Sequence, residues 1–166
     1  METRENDYWK LFKPSTCSLL LAGQTKQEVF EEIVRGLVKA KGLTAQQEAP
    51  AVQALLEREE KASTGIGCNV AIPHVQLAGL DAVVASLSVH RQGVDWSALD
   101  GERVHIFFSV FRPMRAGGCY DPERHLEMMR WISGLGRIGD FRNFALAAKT
   151  RTELVDLLKE MAERTR

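Results

Sequence analysis

From residue 25 to 40 the apolar positions recur at helical spacing. Val29, Ile33, Leu37 and Ala40 share one face, and Phe30, Val34 and Val38 widen it. Ahead of them, Thr25-x-x-Glu28 is a capping box, in which each side chain satisfies a free amide at the helix start, and Gly42 supplies the stop. Pro50, well tolerated in a first turn, opens a second helix that turns Val52, Leu55 and Leu56 inward and ends around Glu59. Cys17 to Ala22 reads as a short buried strand. From Ser63 to His74 small residues give way to Val70-Ala71-Ile72-Pro73, which predicts a loop, a short strand and a sharp stop. Leu80 to His90 and Val104 to Phe111 are rich in β-branched and aromatic residues and predict strands, with turns at Gly93, Asp95 and Asp100-Gly101 between them. Pro113, Gly117 and Gly118 mark Arg112 to Tyr120 as a loop. Asp121-Pro122 is an N-cap followed by Pro at the first helical position, leading a helix with Leu126, Met129, Ile132 and Leu135 on its apolar face. A further helix covers Phe141 to Ala148. The last begins with the capping box Thr150-x-x-Glu153 and buries Leu154, Leu157, Leu158 and Met161. Residues 1–14 are polar and end at Pro14, which reads as a tail or arm; residues 15–166 hold no linker or repeat and predict one α/β domain with its strands central.

Composition and charge narrow the function. With 22 Lys+Arg against 22 Asp+Glu the formal net charge is zero, so the chain lacks the basic excess of a protein that lives on nucleic acid or an anionic membrane. No apolar run approaches the ~18 residues of a membrane span, and the charged N-terminus has no apolar signal core. Three widely spaced cysteines, Cys17, Cys68 and Cys119, contain no CxxC and fit a reducing compartment. These features predict a cytoplasmic domain that does not insert into membranes. No GxGxxG, P-loop, GxSxG or HExxH occurs, and the four histidines show no metal-ligand spacing, so neither a cofactor nor a metal is expected.

The informative stretch is Arg58 to His74. Small residues at Ser63 to Gly67 let the backbone approach another molecule closely or point amides at an anion. Pro73 biases Ile72 to extended geometry, so His74 projects from a short rigid strand. On the residues alone, His74 is equally well read as a strand-end histidine bonded to a carbonyl. Asn69 tolerates a positive φ, whereas the β-branched Val75 beside His74 is expected to narrow access for a partner. Cys68 reads as an inert loop thiol.

Ser63-Thr64-Gly65-Ile66-Gly67 followed by Val70-Ala71-Ile72-Pro73-His74 resembles the signature of the type-2 A component (EIIA) of the sugar phosphotransferase system. This is the fructose/mannitol class, which includes the nitrogen-regulatory EIIA proteins. The resemblance runs from about Ser15 to Met161 and implies that family's fold, a central mixed sheet flanked by helices. It implies that His74 accepts a phosphoryl group on Nε2 from phospho-HPr or a nitrogen-type HPr. The group then passes to an EIIB component or, in the regulatory role, controls binding to a target protein. It maps the family's arginine onto Arg58 and its second functional histidine onto His125, and it makes Ser63, Thr64 and Gly65 candidates to hold the phosphate. A guanidinium about 4 Å from the phosphoryl group contributes roughly 4 kcal/mol at an effective dielectric near 20, before desolvation. His125, in the first turn of its helix, sits where free amides and the dipole favour an anion. A nitrogen-type regulatory relay is the favoured reading, because no B or membrane C domain accompanies the sequence. A sugar-uptake EIIA and a degenerate binding-only module are the alternatives. His90, His105, Trp96 and Trp131 read as structural, and Arg112, Arg115 and Arg124 as solvated loop charge.

Overall fold

The computed structural model describes residues 6–164. Among the described residues five α-helices and five strands follow one another as α1 (Lys26–Lys39), α2 (Glu48–Lys61), β1 (Gly65–Gly67), β2 (Val70–Ala71), β3 (His74–Gln76), β4 (Val84–Val94), β5 (Val104–Arg112), α3 (Pro122–Gly136), α4 (Gly139–Ala147) and α5 (Arg151–Arg164), with three short 3-10 turns at Tyr8–Leu11, Pro14–Thr16 and Ala45–Gln47. The sheet is mixed. β4 and β5 form an antiparallel hairpin, whereas β2 and β3 run parallel to β5 along its other edge. Val70 pairs with Ile106 and His74 with Val110, so the register passes unbroken from β2 to β3: they are one strand interrupted at Ile72-Pro73. Pro73 has no N–H to offer the ladder, although its carbonyl still accepts from Val110 N at 2.9 Å.

Alternation along these strands builds two cores. Val70, Ile72, Ile106, Phe108 and Val110 face α3, α4 and α5. Ala71, Val75, Phe107 and Phe111 face α1 and α2 on the opposite side. The result is a three-layer sandwich, helices over both faces of one sheet, as the sequence predicts. At the end of α3, Gly136 lies so close to the sheet that a Cβ would stand 3.1 Å from Val70 Cγ1, which explains a residue of no side chain there.

Several local expectations are met closely. Thr25 Oγ1 accepts from Glu28 N at 3.2 Å and Thr150 Oγ1 from Glu153 N at 3.2 Å, while Asp121 caps α3. Each capping-box glutamate reaches one residue further back than expected, to Gln24 N and Lys149 N. Other expectations are corrected. Cys17 to Ala22 is an extended segment rather than a strand, touching β4 through a parallel bridge between Ser18 and Ser88. Residues 80–83 lie outside β4, which starts at Val84. The inward face of α3 carries Met128, Ile132 and Leu135; Leu126 is exposed, and Met129 lies at the margin of the core. Residues 1–5 of the N-terminal segment lie outside the described residues. Beyond them Phe12 is buried in the core, and Tyr8 Oη donates to Glu127 at 2.7 Å.

Candidate functional site

His74 opens β3, on the strand parity of Val70 and Ile72, and so lies on the sheet face covered by α3. Ile72 N continues the antiparallel pairing of β1 with β2, donating to Thr64 O at 3.0 Å, and the Ile72 carbonyl meets the His74 ring, with Nδ1 at 2.8 Å. A carbonyl only accepts, so Nδ1 carries the proton, and in the neutral ring Nε2 is left with the free lone pair. The carbonyl bond at Nδ1 and a reactive Nε2, alternatives in the sequence, are therefore compatible with each other.

His125 stands three residues before Met128 on the inward face of α3, above the same side of the sheet. Half-buried, its ring meets Tyr120 edge-on at 5.7 Å between centroids. Its Nδ1 is buried with no hydrogen-bond partner among the described residues. Burial lowers its pKa first, and the nearby charges of Arg112 and His74 lower it further. A cavity of about 260 Å³ opens beside it, lined by Tyr8, Tyr120, Asp121, Arg124 and Met128 among others. A larger groove of about 780 Å³, between α1, the 15–21 segment and the start of α5, contains neither histidine.

Arg58 comes from the other layer. It sits on α2, whose Ala51 and Leu55 pack beneath the opposite face of the sheet, and its Nη1 donates to Ala62 O at 2.9 Å, at the entrance to the short Ser63-Thr64 loop that leads into β1. The loop's own polar groups are already engaged. Thr64 is buried, with its amide 2.9 Å from both Glu59 carboxylate oxygens and its hydroxyl also donating to Glu59. Ser63 Oγ donates to Trp96 O at 2.8 Å and accepts from Gly65 N at 3.1 Å. At Gly65 a Cβ would meet Ala98 Cβ at 2.8 Å, so close packing alone demands glycine there.

Glu59 escapes sequence reading, where it merges with the charged run Glu57 to Lys61. Buried, it also accepts from Trp96 Nε1 at 2.9 Å and has Lys26 Nζ at 3.5 Å, tying α2, the loop and α1 together. Its signal was its place four residues after Leu55 on the buried face of α2. Arg112 is the second omission. It is half-buried, not a solvated loop charge, and Arg124 too is engaged, paired with Asp7. Val75 is corrected as well: its side chain packs into the α1/α2 core, away from His74, so it does not narrow access. Cys68 and Asn69 form the two-residue turn between β1 and β2, with φ of 57° and 67°, and Asn69 Nδ2 donates to Arg103 O at 2.8 Å. His90 Nε2 donates to Gly23 O at 2.8 Å and His105 Nδ1 to His90 O at 3.0 Å, roles within the packing.

Residues 10–161 match the family described as phosphoenolpyruvate-dependent sugar phosphotransferase system, EIIA 2. The chain is 29% identical over 151 residues to the fructose-specific EIIABC component of Bacillus subtilis, a match covering 91% of this chain but 23% of that longer protein. To the nitrogen regulatory protein of Pseudomonas aeruginosa it is 28% identical over 152 residues, covering 92% of this chain and 94% of the relative. The crystal structure of the nitrogen regulatory protein IIA-Ntr from Neisseria meningitidis superposes with a TM-score of 0.79 at 26% identity, over 90% of this chain and 97% of that one. With the family model matched over residues 10–161 and the fold shared over nearly the whole length, the chain belongs to the EIIA type-2 family of the phosphotransferase system.

Proposed function

We propose that the protein is a cytoplasmic phosphohistidine relay in which His74 takes a phosphoryl group from phospho-HPr or a nitrogen-type HPr and hands it on, in a regulatory role of the nitrogen type. The observation that carries this reading is the bond from His74 Nδ1–H to the Ile72 carbonyl, which presents Nε2 with its lone pair free. In the step, Nε2 attacks phosphorus, the bond from phosphorus to the donor's imidazole nitrogen breaks, and its electron pair stays on the donor. The attacking nitrogen carries no proton, so no base is required, and the Nδ1 proton stays on Nδ1, donated to the Ile72 carbonyl. The protein's task is then alignment and charge neutralisation. His125, with a buried nitrogen lacking a partner beside His74, is assigned to bond a phosphoryl oxygen. Arg58 is assigned to approach from the α2 side. Ser63, Thr64 and Gly65 contribute through the loop they shape, since the Thr64 and Ser63 hydroxyls are already held.

Similarity to nitrogen regulatory proteins over most of both chains supports the regulatory role. Similarity to the fructose-specific EIIA component of Haloferax volcanii, 31% identical over 113 residues and 70% of that protein, supports sugar uptake through an EIIB acceptor as the second reading. Incubation with ³²P-labelled phospho-HPr tests the shared chemistry: acid-labile label is expected on the wild type and none on His74→Ala. Equal labelling of the two would remove His74 from the site, and no labelling of either would favour a binding-only module. Onward transfer to EIIB separates uptake from regulation.

A further inference from the structure

We propose that Arg112 is a second phosphate-neutralising cation of this site, positioned by Tyr120, an inference that rests on the phosphohistidine reading above. The register places it there. His74 pairs with Val110 and Gln76 with Arg112, so Arg112 emerges on the same sheet face as Val110, one pleat beyond His74. That separation is about 6–7 Å along the strand, within reach of an arginine side chain. Arg112 Nη1 makes a long hydrogen bond, 3.4 Å, to Tyr120 Oη, and the Tyr120 ring rests against His125. Arg112 and both histidines therefore converge on one side of the sheet, and Arg112's charge is felt at His125.

Two further observations fit an anion at this cluster. Among the described residues no carboxylate lies within ion-pair distance of the half-buried Arg112, whereas neighbouring Arg124 is paired with Asp7. The buried Nδ1 of His125 also has no partner. An unpaired guanidinium and an unpartnered imidazole nitrogen beside His74 match the oxygens of a phosphoryl group. A phosphohistidine carries roughly two negative charges, by analogy with other phosphorylated side chains, and one arginine leaves about half of that unbalanced. Arg58 from the α2 layer and Arg112 from the α3 side supply one positive charge each, from opposite faces of the sheet. Before phosphorylation Arg112 helps keep His125 neutral; once the anion is present its field opposes that of Arg112, and His125 is free to hold a proton against a phosphoryl oxygen.

The test uses the full chain with two donors, labelled phospho-HPr and the small donor phosphoramidate, in which a P–N bond breaks and ammonia leaves. Arg112→Gln is expected to slow labelling of His74 about tenfold to a hundredfold with both donors, and Arg112→Lys to recover most of that loss. In NMR titrations His125 is expected to take up its proton at higher pH in Arg112→Gln than in wild type. Tyr120→Phe, which removes only the hydroxyl, is expected to slow labelling less than Arg112→Gln. Labelling of Arg112→Gln at the wild-type rate overturns the proposal. So does Arg112→Lys labelling no better than Arg112→Gln, the result expected if Arg112 serves only the fold. Wild type labelled by phosphoramidate but not by phospho-HPr would refute the donor and leave the role of Arg112 decided by the small donor. Failure of the wild type with both would refute the relay itself.

Discussion

His125 is held below its ordinary pKa of 6.5 because burial strips water from its charged form, with the positive charges of Arg112 and His74 adding to the effect. The unfolded chain therefore binds this proton more readily than the folded one. The stability linked to the neutral ring is fully present above pH 6.5 and is lost as pH falls through the lower folded value. Replacing His125 by Asn is expected to flatten the dependence of the urea midpoint on pH in that acidic window; an unchanged slope would contradict the shift. Cys68 also reports on its surroundings. Its φ of 57° is unfavourable for any side chain but suits glycine, so Cys68→Gly is expected to stabilise the fold by about 0.5–1 kcal/mol in denaturant titration. Burial pushes the Cys17 thiol up to about 11, whereas Cys68 and Cys119 are exposed. Iodoacetamide applied to the folded protein is expected to modify the latter two and spare Cys17.

At the scale of elements, Glu59 does what no single strand or helix can: one carboxylate on α2 holds the Thr64 amide and hydroxyl of the site loop and the Trp96 indole. Glu59→Ala leaves the buried Thr64 amide and hydroxyl without their carboxylate, while the Trp96 indole keeps Thr64 Oγ1 at 3.1 Å, at an expected cost of about 3 kcal/mol measured by chemical denaturation. The loss is expected to raise protease sensitivity first at Ser63-Thr64 and the adjoining β1. On α3, Met128→Ala is expected to cost about 2–4 kcal/mol, against about 0.5 or less for the exposed Leu126→Ala. That pair also marks where sequence reading stopped. Leu126 and Met129 fit a helical stripe with Ile132 as well as Met128 does, and only the packed sheet selects between them. The caps at Thr25, Asp121 and Thr150, and the break at Pro73, were legible because their partners lie within a few residues. Arg112 and Glu59 were not: the site position of one depends on the pairing of β5 with β3, and the burial of the other on Trp96, 37 residues away.

For the whole molecule, the balance of 22 cationic and 22 anionic side chains makes phosphorylation the dominant electrostatic change. Adding roughly two negative charges to a neutral chain is expected to move the phosphorylated protein toward the anode on a native gel. His74→Ala should remain at the wild-type position under the same treatment. In the proposed relay that charge would stand at the rim of the sheet, between the helical layer of Arg58 and that of His125. The family match spanned almost the whole chain because the motif residues and the cores are interleaved along the same strands, Ile72 in one core and Val75 in the other around His74. The orientation of the His74 ring is the part of this design least open to genetic drift. Its acceptor is the main-chain carbonyl of Ile72, an atom every amino acid possesses, so no substitution at position 72 can delete it. Variation can therefore reshape the surrounding residues while the His74 ring keeps its direction.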